Sequence, residues 1–130
     1  KDELPELNIV LNGGVQSIAQ CEAHLQHVDG VMIGRQAYQQ PWFLTELEAA
    51  FGDGTAPNDR DEVIQDMFPY IEGELENGAQ LKHITQHLLG LFAGQPGARA
   101  WRRHLSERAH QSGAGIEVLK EAIQCLPKVA

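Results

Sequence analysis

The chain has 130 residues, of which 42% are hydrophobic and 22% charged, and its formal net charge is −8 at pH 7. This composition is ordinary for a globular protein, and no apolar run approaches the roughly twenty residues that a membrane-spanning helix needs. The acidic balance argues against nucleic-acid binding by the whole surface, because phosphates repel it. The first residues lack the apolar core of a signal peptide. We therefore expect a cytoplasmic protein with no membrane partner.

Two short apolar runs near the start each end in a glycine-containing loop. The first run covers residues 7–11 and precedes the loop 12–14, and the second covers residues 30–33 and precedes the pair 34–35. Between them, apolar residues recur every three or four positions, which predicts a helix over roughly 16–27. This order predicts two short parallel strands, the first of them buried, joined by a right-handed crossover. A further helix should follow, with Pro41 in its first turn.

The two loops are a candidate site for a phosphate group. Glycine lets a backbone adopt positive φ and approach an anion closely, and the start of the first helix should stand behind the loop with its positive end. An arginine supplies a fork of donors that matches phosphate oxygens. An ordinary Asn-Gly turn is the alternative for the first loop alone. The residues concerned are Asn12, Gly13, Gly14, Gly34 and Arg35.

The rest of the chain reads as helical. Turn-forming residues crowd the segment 53–58, which predicts a linker between residues 1–52 and 59–130. Asp59 and Glu62 have the spacing of a capping box, and Pro69 inside the following helix predicts a kink or two abutting helices. Later apolar stripes, beginning at residues 81, 98 and 116, complete a predicted antiparallel helical bundle.

A basic cluster stands out against the acidic background. Residues 99–108 contain four arginines and one glutamate, a local charge of +3, so the other 120 residues together carry −11. Offsets of three and four place one set of side chains on a single side of the helix, away from the apolar side. That set is Arg99, Arg102, Arg103, Ser106 and His110. Phosphate contacts to RNA are one use of this side, with Lys82 extending it, and pairing with nearby carboxylates is the alternative.

The histidines and cysteines offer no metal or catalytic pattern. His83 and His87 are one helical turn apart but lack a third ligand in context, so we read them as surface or partly packed residues and expect no metal. Cys21 and Cys125 lie far apart without metal-ligand spacing and read as reduced, buried thiols.

The chain resembles the C-terminal part of the tRNA-dihydrouridine synthases of the A subgroup, over almost its whole length. The resemblance rests on residues 12–14, on residues 29–35 with Pro41 downstream, and above all on residues 94–106. The last of these segments reads Gly-Gln-Pro-Gly-Ala-Arg-Ala-Trp-Arg-Arg-His-Leu-Ser. The resemblance implies the last two βα units of an FMN-binding TIM barrel, followed by a helical tRNA-binding domain.

The resemblance also implies a reaction and a division of roles. Such enzymes reduce uridine to dihydrouridine in the tRNA D-loop, here of the 20/20a type, with NADPH reducing FMN first. Asn12, Gly13, Gly14, Gly34 and Arg35 would bind FMN, and Arg99, Arg102 and Arg103 would contact tRNA. The proton-donating cysteine of the family belongs to an earlier barrel loop. Neither Cys21 nor Cys125 has its context, so we expect no catalytic residue in this chain and no activity from it alone.

Two rival interpretations remain open from the sequence. One is a non-catalytic helical RNA-binding or interaction module, in which the glycine loops are only turns. The other is a different FMN barrel oxidoreductase, which leaves the arginine side without a role. For the full-length protein we expect a monomer, and for a fragment that lacks the earlier strands we consider association through its open sheet edge.

Overall fold

A computed structural model describes residues 1–127 of the chain. These residues form two compact units, one of residues 1–56 and one from residue 57 onward. The division falls inside the segment 53–58 that the sequence predicts as a linker. Among the helices described, none has both the length and the apolar character to cross a membrane.

The first unit contains two strands and three helices. They are β1 (Val10–Asn12), α1 (Ile18–Leu25), β2 (Gly30–Met32), α2 (Arg35–Gln39) and α3 (Trp42–Phe51). The strands run parallel, with Val10 opposite Gly30 and Asn12 opposite Met32. α1 packs against both β2 and α3, and Cys21 and Phe43 supply buried side chains to this packing.

The prediction of a buried first strand over residues 7–11 is wrong in both position and burial. β1 begins at Val10, and the side chains of Leu7, Val10 and, in the facing strand, Met32 are about half exposed. The sheet has two strands among the described residues, so no third strand covers these positions. Ile9 is held at the edge of the ladder instead, because its N–H donates to Asp29 Oδ2 at 2.8 Å and its carbonyl accepts from the Asp29 N–H.

The first helix is shorter than the predicted 16–27. Ser17 caps it, with Ser17 Oγ accepting from the Gln20 N–H at 3.2 Å, so the helix starts at Ile18. Its end comes early because the His27 N–H bonds only three residues back, to the His24 carbonyl, so the helix gives way to a turn after Leu25. The short helix α2 is not predicted by the sequence pattern. Pro41 is the residue before α3 rather than part of its first turn.

The second unit contains four helices within the described residues. They are α4 (Arg60–Glu76), α5 (Leu81–Thr85), α6 (Ala98–Arg108) and α7 (Ile116–Gln124). Asp59 caps α4 as predicted, accepting from the Glu62 N–H at 2.8 Å, whereas the Glu62 carboxylate reaches back one residue further than expected, to the Asn58 N–H. Pro69 lies inside α4 without dividing it into two helices.

The apolar stripe over residues 81–92 is helical only in its first five residues. From residue 86 the backbone continues as turns, and from residue 87 several N–H groups bond three residues back, as in Leu88 to Thr85 and Leu91 to Leu88. The pattern of burial survives this change. Leu88, Leu91 and Phe92 are all buried, because a tighter turn still brings residues three apart to one side.

Trp101 occupies the centre of the second unit. Its side chain is fully buried, and the centroid of its ring lies 4.7 Å from the ring centroid of Phe92. α6, which carries Trp101, packs against α5 and α7, and α4 packs against the same two helices. A hydrogen bond from Trp101 Nε1 to the Leu88 carbonyl, 3.0 Å long, ties α6 to the turns after α5.

The two cysteines differ in environment. Cys21 is buried in α1, and burial raises the pKa of its thiol. Cys125 follows α7 and is exposed, which corrects the prediction that both thiols are buried. Neither is in a disulfide within the described chain.

Candidate phosphate loops and basic helix side

The structure brings the two glycine-containing loops to one edge of the parallel sheet. Because Asn12 and Met32 lie opposite each other at the ends of β1 and β2, the residues that follow them leave the sheet side by side. Gly13 and Gly14 therefore stand at the same edge as Gly34, which precedes α2. The carboxyl edge of parallel strands is where α/β proteins bind phosphate-bearing ligands.

Gly13 and Gly14 need to be glycine for a backbone reason. Their φ angles are +128° and +69°, in the region that L side chains rarely adopt. A Cβ built on either residue would meet nothing within 4 Å. The loop thus has a backbone conformation that residues other than glycine would adopt only with strain, and the space beside it is open. This arrangement suits the close approach of a ligand.

Arg35 adds a positive charge at this edge. It is the first residue of α2, its side chain is exposed, and no carboxylate of residues 1–127 pairs with it within 4 Å. A guanidinium without a partner in the described chain is available to an anionic ligand.

The start of α1 contributes less than the sequence predicts. Ser17 Oγ takes the Gln20 N–H, and Gln20 Oε1 accepts from the Gln16 N–H at 2.7 Å. Two N–H groups at this end of the helix are therefore bonded within the chain. The candidate phosphate site therefore consists mainly of the two loops and Arg35, and the end of the helix contributes little.

The second candidate surface lies on α6. Arg99, Arg102 and Arg103 are all exposed, and at 3.6 residues per turn they lie on one side of the helix. Ser106 continues that side along the axis, His110 follows two residues after the end of the helix, and both are exposed. We call these five residues the arginine side of α6. Arg108 lies on the other side, nine residues after Arg99.

The arginines are not used to pair with the chain's own acidic residues. Within the part of the chain that the structure describes, no carboxylate lies within 4 Å of Arg99, Arg102, Arg103 or Arg108. The ion-pair distance recorded for α6 involves a histidine instead, since Glu121 Oε2 lies 3.2 Å from His104 Nε2, where α6 faces α7. The alternative interpretation of the arginines, as partners of nearby carboxylates, thus has no support in the contacts.

The buried side of α6 fixes how the arginine side is presented. Trp101 and Leu105 are at most 1% exposed and anchor the helix in the core. Gly97, just before the helix, has φ +87°, and a Cβ there would come within 2.7 Å of Pro127 and 2.9 Å of Leu126. The start of α6 is therefore seated against the segment that follows α7.

A groove beside the arginine side was not predicted from the sequence. It has a volume of about 320 Å³ and lies between α5 and α6. Ser106 and His110 belong both to this groove and to the arginine side. Two features of the sequence point toward the groove, namely the shared helical side of Ser106 and His110 and the nearby Lys82. The turn after Thr85, which shapes the other wall, cannot be predicted from the sequence.

The histidine pair does not form part of a metal-ligand cluster. Among residues 1–127, no group of three or more His, Cys, Asp or Glu side chains is arranged to hold a metal ion. His83 is exposed on α5, and His87 Nε2 lies 3.3 Å from the Gln86 amide nitrogen.

The molecule thus combines an α/β unit whose parallel strands end in paired loops with a helical unit that carries a basic side. The model of one family, described as dihydrouridine synthase, matches residues 1–127. The chain belongs to the dihydrouridine synthase family. The family is one of TIM-barrel enzymes, and a small parallel sheet with flanking helices is compatible with part of such a barrel.

Curated relatives carry the same family name. A protein of Vibrio parahaemolyticus named tRNA-dihydrouridine(20/20a) synthase is 50% identical over 129 residues, which is 98% of this chain and 40% of the relative. Proteins of the same name from Shewanella oneidensis and Escherichia coli K12 are 54% and 50% identical over 125 residues, or 95% of this chain, and 37% and 36% of their own lengths. The chain therefore spans about two fifths of the length of these relatives.

Proposed function

We propose that the intact protein is a flavin-dependent tRNA-dihydrouridine synthase that reduces uridine in the D-loop, of the 20/20a type. The observation that carries this proposal is the 50% to 54% identity to proteins of that name across nearly the whole chain. Because the chain spans only about two fifths of those relatives, the activity belongs to the longer polypeptide. A cytoplasmic location, where tRNA is found, goes with this function.

The proposal assigns residues 1–52 to the last two βα units of an FMN-binding barrel and residues 59–130 to a helical tRNA-binding bundle. The separation of the described residues into two units, with the boundary inside 53–58, supports this assignment. The intact protein would act as a monomer. Residues 1–130 alone would associate through the sheet, where Val10 and Met32 are exposed.

In this proposal, Asn12, Gly13, Gly14, Gly34 and Arg35 hold the phosphate end of FMN. Two features of the described chain fit the group: the positive-φ glycines border open space, and the Arg35 guanidinium has no carboxylate partner among the described residues. The loops would position the phosphate with backbone N–H groups, and Arg35 would neutralise its charge. When bound, the flavin supplies the hydride chemistry, with NADPH as the reductant.

No residue of this chain is assigned a catalytic role. Cys21 is buried in α1 with a raised thiol pKa, which makes it a poor proton donor to a substrate base. Cys125 lies just after α7, in the second unit. The contribution of this chain is to bind and orient, and the proton donor comes from the preceding part of the barrel.

The arginine side of α6 is proposed to bind the tRNA backbone, with Arg99, Arg102 and Arg103 foremost. These guanidinium groups are exposed and make no ion pair among the described residues, in a chain whose net charge is −8. Concentrated positive charge on an acidic protein directs a polyanion to one surface and keeps it off the rest.

A non-catalytic RNA-binding module would explain the arginine side but would give no use to the paired loops. A different FMN barrel oxidoreductase would explain the loops but not the arginines. The test uses the intact protein, purified and assayed for bound flavin by its visible spectrum and for NADPH-dependent formation of dihydrouridine in unmodified tRNA. We expect both. A colourless protein that leaves every uridine unchanged would overturn the proposal.

A further inference from the structure

The groove between α5 and α6 has a polar rim and an apolar floor. The floor contains atoms of Leu89, Leu105 and Ala109. The rim is formed by exposed polar side chains, namely Lys82, His83, Gln86, Ser106 and His110. No aspartate or glutamate lines it, although the chain contains 18 acidic residues against 10 basic ones. The groove is therefore chemically suited to a ligand that is partly flat and apolar and also anionic.

The groove is continuous with the arginine side of α6. Ser106 is about one helical turn beyond Arg102, roughly 6 Å along the axis, and it lines the groove itself. A strand of RNA whose phosphates lie on Arg99 and Arg102 would thus reach the groove within about one nucleotide step. Single-stranded RNA is recognised by splaying a base out of the stack and bonding its edge to side chains.

The rim offers the donors and acceptors that such a base edge needs. Ser106 can donate or accept, and His83 and His110 each present ring nitrogens of both kinds. The Gln86 side-chain nitrogen donates a hydrogen bond to the His83 carbonyl at 3.1 Å. This bond fixes the Gln86 side chain, whose amide oxygen can accept a hydrogen bond from a ligand. Thr85 also lines the groove, but it is buried and its hydroxyl already donates to the Leu81 carbonyl at 3.2 Å.

We propose that this groove binds one unstacked nucleotide of the tRNA substrate, next to the backbone held by the arginine side. Lys82 contacts its phosphate, and Ser106 and His110 bond its base or ribose. This inference rests on the proposed tRNA function and deepens it. It assigns base-reading residues to a helix whose arginines only position the backbone.

The experiment measures binding of an unmodified tRNA transcript to the intact protein at pH 8 and at several salt concentrations. The variant Ser106→Ala with His110→Ala removes uncharged groove contacts, and Ser106→Leu fills the groove. Arg102→Ala and Lys82→Ala remove phosphate contacts. Gln111→Ala, next to His110 but outside the groove lining, is the matched control.

We expect the two groove variants to weaken binding about tenfold without changing the dependence on salt, because they remove no charge. Arg102→Ala and Lys82→Ala should each reduce the slope of log affinity against log salt by about 0.7 to 0.9. Gln111→Ala should bind as the unmodified protein does. Thermal unfolding of each variant checks that the fold is kept, and Ser106, being exposed, tolerates both substitutions.

Groove variants that bind tRNA normally, while Arg102→Ala weakens binding, would overturn the groove proposal and leave the proposed function standing. Groove variants that weaken binding only by lowering the salt slope would also overturn it, since that is backbone contact alone. If neither the groove variants nor the arginine variants change binding, the proposed tRNA function fails, and the groove proposal fails with it.

Discussion

The indole Nε1 of Trp101 donates a hydrogen bond to the carbonyl oxygen of Leu88 across 3.0 Å, inside the core of the helical unit. The bond joins α6, which carries the arginine side, to the non-helical turns that follow α5. It satisfies the buried indole N–H and gives the Leu88 carbonyl a second donor beside the Leu91 N–H. The position of the arginine side therefore depends on a side chain that contacts no ligand.

Trp101→Phe should destabilise the intact protein by about 1 to 3 kcal/mol. The smaller ring keeps much of the packing against Phe92, but the indole–carbonyl bond is lost and space is left in the core, while the Leu88 carbonyl keeps only the Leu91 N–H. Denaturant unfolding gives the change. Tyr70→Phe, which removes a hydroxyl from a ring that is 58% exposed, is the control and should shift stability by less than about 0.5 kcal/mol. Equal effects of the two variants would contradict the role given to the bond.

Gly97→Ala should be more damaging than Gly94→Ala, although both glycines have positive φ, +87° and +78°. At Gly94 the new methyl group meets open space, so only the backbone cost of roughly 1 to 2 kcal/mol applies. At Gly97 the methyl would also come within 3.3 Å of the Leu126 Cα, which adds overpacking of roughly 1 to 3 kcal/mol. Thermal unfolding of both variants measures the difference. Similar unfolding midpoints for the two variants would argue against close packing of the start of α6 on the segment after α7.

Gly14→Ala should reduce the flavin content of the intact protein, because the substitution forces the loop out of φ +69° and places a methyl group where the FMN phosphate is proposed to bind. Gly54→Ala is the matched control. Gly54 also has positive φ, +88°, and open space around it, but it lies in the predicted linker. Visible absorbance per protein should fall several-fold for the first variant and stay unchanged for the second. Loss of flavin from both would point to a general effect on folding.

Asp29 should contribute to stability at neutral pH and lose that contribution in acid. The hydrogen bond with Lys1 and the bond from the Ile9 N–H hold the pKa of the Asp29 carboxyl below its usual range. A pKa that is lower in the folded state stabilises the protein above the unfolded-state pKa of about 3.9, and the gain disappears as the pH falls below that value.

Asp29→Asn should therefore lower the denaturant midpoint at pH 7 and have a shrinking effect as the pH approaches 2. Asp2→Asn makes the same change in net charge at an exposed residue near the chain start and serves as the control. A difference between the Asp29 variant and the unmodified protein that stayed constant from pH 7 to pH 2 would show that the carboxylate charge is not what matters.

The sequence predicts elements best where local chemistry decides them. The cap at Asp59 follows from a side chain within one helical turn, and the start of α6 at Ala98 follows from the turn-forming residues just before it. The strand at residues 7–11 was misplaced because β-branched and apolar residues indicate a strand but not which of them pair, and Ile9 is diverted to Asp29 twenty residues away. The turns after Thr85 were read as helix since buried residues three apart satisfy either backbone.

The candidate sites show the same limit. Residue type and position are enough to select Gly13, Gly14 and Arg35 as candidates. The hydrogen bonds of Gln16 and Gln20, which occupy N–H groups at the start of α1, are visible only in the structure. The arginine side follows from helical spacing alone. The groove beside it depends on how α5 and the turns after it pack on α6, and no periodicity in the sequence encodes that packing.

The central claim is that the first unit holds the flavin while the arginine side of α6 holds tRNA. The most direct measurement is the KM for tRNA, together with flavin content, of the intact protein carrying Arg102→Ala or Arg103→Ala, compared with Arg108→Ala on the other side of the same helix. We predict that KM rises about tenfold for each of the first two, the effect of one charge-assisted hydrogen bond of roughly 1.5 kcal/mol, with flavin content unchanged and with Arg108→Ala near normal. An unchanged KM in the Arg102 and Arg103 variants, or equal losses in all three, would contradict the claim.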